Sequence, residues 1–194
     1  MGRLAQTLGV SMAPFSQSVA LEFCKLCGWA YEAWLNHREL FDLNPRTAEL
    51  QKSFAGEELA RLSVISQEYS LLQIAKLHDP AVVSGKVTLG IDYVVTYGSW
   101  SPETRKKLES LRADLNKLGG QLRDARNKSL SHNDLAQIVA GVTLGEFKSG
   151  EDESYFQSLQ KLVDIVHGEV LGGPWPFNDL VKNDVAAFMA ILRP

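Results

Sequence analysis

The sequence predicts an all-α protein built as an antiparallel helical bundle, and three observations carry that prediction. Apolar residues recur at spacings of three and four over most of the chain, as one face of a helix requires. Helix-start signals, an Asn or Ser followed at once by Pro, stand before two of these runs. Period-two patterning, the mark of a half-buried strand, is confined to short stretches, so helices must pack on helices. The 194 residues are 45% hydrophobic, enough for one substantial core, and a single domain over residues 19–194 is expected. Residues 1–18 mix Gly, Ser, Thr and Pro and read as a loosely ordered N-terminal arm.

From Val19 to Leu43 the chain is dense in Leu, Phe, Trp and Ala, with Gly28 as its one interruption, which predicts a long, largely buried helix. Asn44 can cap a second helix with Pro45 in its first turn, where a missing N–H costs nothing. That helix runs to about Leu77, with Leu59, Leu62, Ile65, Tyr69 and Leu72 on one face, and "HDP" at 78–80 stops it. In 87–97, Val87, Leu89, Ile91, Tyr93, Val95 and Tyr97 alternate as a strand would. The one partner strand on offer is 138–144, and the residues leave helix and strand open.

"SPE" at 101–103 opens the clearest helix: Ser101 caps, Pro102 takes the first position and Glu103 meets the positive end of the dipole. Leu108, Leu111, Leu115, Leu118, Leu122 and Ala125 follow as an unbroken seam. Gly119 and Gly120 sit inside it at a cost of about 1 kcal/mol each, which implies a close approach or a bend. After a polar patch at 148–154, Phe156, Leu159, Val163 and Val166 share a helical face. "GGPWPF" at 172–177 is a rigid break before a last helix from about Asp179 to Leu192.

Net charge is −3 with a pI near 5.8, which excludes a global basic field; any nucleic-acid contact must come from a local patch. The apolar runs fall far short of the roughly 20 residues of a membrane span. The first residues lack a secretory pattern, and Gln6 breaks the myristoylation pattern, so no membrane contact and a cytoplasmic location are expected. Cys24 and Cys27 form a lone CxxC pair without a second pair or a near histidine, and read as buried small apolar residues rather than a redox or metal site. His78 reads as a turn residue, His37 and His167 as surface residues, and Trp29, Tyr31, Trp34 and Phe41 as core or dimer interface.

The strip "DARNKSLSHND" at 124–134 carries the chemistry. On an uninterrupted helix Arg126 and His132 would stand roughly 120° apart and not meet. Asn127, Ser129 and Ser131 compete for backbone groups and favour a break that would let both point into a common space. The pair suits phosphodiester cleavage: a histidine near neutral pKa moves the proton of a ribose 2′-OH or of the leaving oxygen, and a guanidinium holds the charged phosphate. That division of labour needs no metal or other cofactor. One histidine serves poorly as both acid and base, so two copies facing each other across a homodimer would complete the site. An ordinary polar helix end explains the same residues without chemistry.

"RNKSLSH" at 126–132 resembles the signature of the HEPN superfamily, an Arg followed after four to six residues by His with a polar residue directly after the Arg. The wider chain, with "IAKLHDPA" at 74–81 and "GKVTLGIDYV" at 85–94 before the long helix, resembles its abortive-infection U-type (AbiU-like) branch. The resemblance implies an all-α HEPN-type bundle with short extra helices, a helix in 87–97, and a homodimer. It implies a metal-independent endoribonuclease, RNA as substrate, a toxin or phage-defence (abortive infection) role, and an antitoxin or regulatory protein as a further partner. Arg126 and His132 would be catalytic, Asn127 supporting, and Lys128 and Arg123 RNA-binding. Ser131 stands where the family more often has Ala. The alternative is a non-catalytic HEPN-like module that dimerises and binds RNA, a nucleotide or a protein partner.

Overall fold

The computed structural model describes residues 15–50, 52–53, 56–125 and 150–191. They form an all-α structure. Its helices are α1 (Gln17–His37), extended by a π-helical turn over Arg38–Asp42, α2 (Thr47–Leu50), α3 (Gly56–Leu77), α4 (Ile91–Tyr97), α5 (Pro102–Ala125), α6 (Glu151–Val170) and α7 (Val181–Ile191). The β-structure among the described residues is one hairpin of β1 (Val82–Val83) and β2 (Lys86–Val87), antiparallel with Val82 opposite Val87. Two compact units result, one from Met1–Cys27 with Ala75–Pro176 and one from Gly28–Ile74 with Phe177–Pro194.

In the first unit α5 and α6 pair along their apolar seams. Ser101 caps α5 by accepting the Thr104 N–H at 3.1 Å, as the sequence predicts. Leu108, Leu115 and Leu122 are buried on one side; Tyr155, Phe156, Leu159, Leu162, Val163 and Val166 are buried on the other. The two helices are antiparallel: Thr104, early in α5, donates to Glu169, late in α6, at 3.1 Å.

The ambiguous stretch 87–97 divides. Val87 ends β2, and the helix begins at Ile91. Ser84 (φ 50°) and Gly85 (φ 76°) take the left-handed backbone of a tight two-residue hairpin turn. Gly90 precedes α4 where an added Cβ would stand 2.8 Å from the Leu77 carbonyl oxygen. Ile91, Tyr93, Val94 and Val95 are all buried, so α4 is apolar nearly all round, and its alternation says nothing about strand. Arg105 of α5 donates to the carbonyls of Val95 (3.2 Å) and Gly98 (3.0 Å), and Trp100 donates to that of Val94 (2.9 Å). Arg112 of α5 meets Asp92 at 3.0 Å.

In the second unit, Asn44 Oδ1 accepts the Arg46 N–H at 2.9 Å, and Arg46 reaches the Met189 carbonyl of α7 at 2.7 Å. Tyr31 stacks on Phe177 with centroids 4.9 Å apart. Ser70 of α3 donates to the Ala33 carbonyl of α1 at 2.9 Å.

Three expectations are corrected here. The helix expected from Asn44 to Leu77 is two helices: after α2, Lys52 and Ser53 close a tighter turn onto Glu49 and Leu50, and the Ser53 hydroxyl also bonds the Leu50 carbonyl at 2.6 Å. His37, read as a surface residue, is 8% exposed and lies against Phe41. The apolar stripe of α3 is not its covered face. Leu62, Ile65 and Tyr69 are 45%, 60% and 42% exposed, while Ser70, Leu71, Ile74 and Leu77 are buried. On that other face the small Ser70 donates to the Ala33 carbonyl of α1.

Candidate functional site

Helix α5 is described as far as Ala125, two residues into the strip. Arg126, Asn127, Lys128 and His132 lie outside the described residues. Arg123 is described: it stands in the last turn of α5, half-buried, and its charge acts on His78.

His78 holds a position the sequence did not reveal. Its backbone forms the turn after α3, as expected, with its N–H on the Ala75 carbonyl at 3.1 Å. Its ring is 6% exposed and ties two helices together. Nδ1 lies 2.9 Å from Asn116 Oδ1 on α5, and Nε2 lies 2.7 Å from the Tyr155 hydroxyl on α6. A carbonyl oxygen only accepts, so Nδ1 carries the proton and Nε2 accepts from Tyr155. Burial holds the ring's pKa below the usual histidine value; the Asn116 bond opposes that, and the Arg123 charge adds to it. A neutral imidazole with both nitrogens engaged cannot take a substrate proton without giving up a bond. Its role is positional: it fixes the end of α3 against the middle of α5. Gly119 makes room for it, since a Cβ there would overlap the His78 ring. The close approach read from Gly119 is therefore real, and its partner is a side chain. Gly120 meets nothing within 4 Å.

Beside this tie, α5 and α6 border a groove of about 370 Å³, lined among others by Asp114, Lys117, Gln121, Glu151, Ser154 and Tyr155. Among the described lining residues Lys117 is paired with Asp114 at 2.8 Å. Among the described residues no cluster of three or more His, Cys, Asp or Glu could hold a metal ion, and no helix is long and apolar enough to cross a membrane.

Compared with known families, residues 15–190 match the family model described as HEPN_AbiU2 (AbiU2). The chain belongs to the AbiU2 family of HEPN proteins. No curated protein and no solved structure matches it. The AbiU2 match runs from the start of α1 to the last turn of α7 and spans the strip at 126–132.

Cys24 and Cys27 in this AbiU2 chain are free and fully buried. Burial pushes the Cys24 thiol up to about 11, with the Asp164 charge adding, and burial likewise raises Cys27. Neither is a poised thiolate. Tyr155 and the depth of His78 were missed from the sequence. The available signal was a glycine inside a leucine seam, which marks a place where something bulky comes close.

Proposed function

We propose that this AbiU2 chain is a metal-independent endoribonuclease acting in abortive infection, with a composite site made by Arg126 and His132 from two copies of a homodimer. The observation that carries this reading is the family match across residues 15–190, which spans the Arg-x5-His strip at 126–132. Arg126 holds the scissile phosphate, and His132 moves the proton to or from the ribose 2′-OH or the leaving oxygen. Asn127 orients strip or substrate, and Lys128 with Arg123 contacts flanking phosphates. We read the two compact units as parts of one HEPN domain over residues 19–194, a reading that the single family match across both supports.

The test is cleavage of total RNA in EDTA by the wild type, Arg126→Ala and His132→Ala. The wild type leaves 2′,3′-cyclic phosphate ends, and each variant loses at least about a hundredfold in rate. Absence of cleavage, with RNA retention equal in all three proteins, overturns the catalytic reading.

A further inference from the structure

We infer that His78 is a positioning residue for the proposed ribonuclease: its ring sets the spacing of the two helix ends between which the chain carries Arg126 and His132. The strip stands in sequence between α5, described as far as Ala125, and α6, which begins at Glu151. The two helices are antiparallel, so the last described turns of α5 lie beside the first turns of α6. His78 bonds one residue on each. Asn116 stands nine residues before Ala125, about 14 Å along the helix, and Tyr155 stands about one turn after Glu151. Gly119 lets the ring lie flush against α5, because a Cβ there would overlap it. A single side chain thus gauges the distance between both supports of the strip.

That distance depends on which protons the ring holds. In the neutral ring Nδ1–H donates to Asn116 and Nε2 accepts from Tyr155. A second proton, on Nε2, turns the acceptor into a donor. Tyr155 must then accept, and its own hydroxyl proton loses the hydrogen-bond partner it has among the described residues, at a side chain 4% exposed. The surrounding charges are divided: Arg123 of α5 opposes the proton, Asp79 in the turn favours it, and the neutral Asn116 oxygen accepts in both states. Tyr155 of α6 brings no charge, since burial pushes its ionisation far above the ordinary range. A residue that only filled space would hold α5 and α6 alike at any pH, whereas this ring loosens one from the other when charged. The inference rests on the ribonuclease reading for where the effect is felt, and not for the tie itself.

Substitution and a measured distance test it. His78→Gln keeps the pattern without the titration, because the amide donates to Asn116 through nitrogen and accepts from Tyr155 through oxygen. His78→Ala lowers kcat on RNA at least about tenfold with KM unchanged, and His78→Gln restores it to within about threefold. Asn116→Asp sets a carboxylate beside Nδ1–H, favours the imidazolium and moves the acid limb of kcat up by about one pH unit. In the His78→Gln background the same change moves nothing. Spin labels on Gln121→Cys and Ser154→Cys, exposed positions on the two sides of the α5–α6 groove, read the spacing without RNA. The native thiols are buried and do not compete for the label. The label distance lengthens in His78→Ala, lengthens in the wild type as pH falls from about 7 to about 5, and stays constant in His78→Gln. Where His78→Ala does not fold, Asn116→Ala removes one bond of the tie at an exposed residue, and kcat falls a few-fold. A His78→Gln protein as slow as His78→Ala, an acid limb that Asn116→Asp leaves in place, or a label distance indifferent to both His78 and pH each overturns the inference. RNA left uncut by every protein, the wild type included, refutes the ribonuclease reading, and the labels then decide the spacing on their own.

Discussion

Helices α3 and α5 carry the same kind of apolar seam, and the fold treats the two in opposite ways. On α5 the leucines at 108, 115 and 122 are buried against the rest of their unit. On α3 the residues at 62, 65 and 69 face water, and a second face of small and apolar residues does the packing. Periodicity therefore states that a face is apolar, not what covers it. The difference lies in the opposite face. That of α5 is charged and can only be solvated, whereas that of α3 carries the small Ser70, which donates to the Ala33 carbonyl of α1. The sequence held both facts, but only the covered stripe of α5 had no competitor.

The contrast can be broken by substitution, and the largest effect belongs to the closed side. Leu159→Ala removes a wholly buried side chain from α6 and costs about 3 kcal/mol in denaturant unfolding; a loss below about 1 kcal/mol would mean the α5–α6 seam is loosely packed. Gly119→Ala forces the His78 ring to shift, and about 2 kcal/mol is lost. An unchanged melting temperature there would show that the ring is not held against α5.

The pH dependence sharpens the same point. His78 is held below its ordinary pKa by burial, with Arg123 adding and Asn116 and Asp79 opposing, and His37 by burial with Asp42 opposing. The unfolded chain then binds protons that the fold refuses. Stability is full above the unfolded value of about 6.5 and is lost as pH falls from there through the lowered folded values. A melting temperature that stays flat or rises on acidification below about pH 6.5 contradicts neutral buried rings. The smallest effect is on the open side: Ile65→Ala, measured at a concentration too low for association, changes stability by less than about 0.5 kcal/mol.

Much of the fold was legible because its signals are local. Ser101 before Pro102 is a cap in the structure, Asn44 before Pro45 turns the chain, and the face of Phe156, Leu159, Val163 and Val166 is buried as read. What escaped depends on distant partners. Nothing next to His78 in sequence announces Asn116 and Tyr155, and nothing next to His37 announces burial. The division of 87–97 into a strand end and a helix rests on Gly90 passing close to Leu77, a contact between residues thirteen apart. Of the candidate site, the strip was legible as a motif, and Arg123 is placed at the end of α5 near His78, while Arg126, Asn127, Lys128 and His132 lie outside the described residues.

Arg105 has a consequence for how far α4 stands alone. A seven-residue helix such as α4 is too short to persist alone, since nucleation consumes most of what so few hydrogen bonds return. The carbonyls at its end are closed by a guanidinium belonging to the next helix. Its termination is thus borrowed, and α4 on its own is expected not to persist as a helix without α5 packed beside it. The residue that closes it stands in the sequence eight residues after the segment it completes.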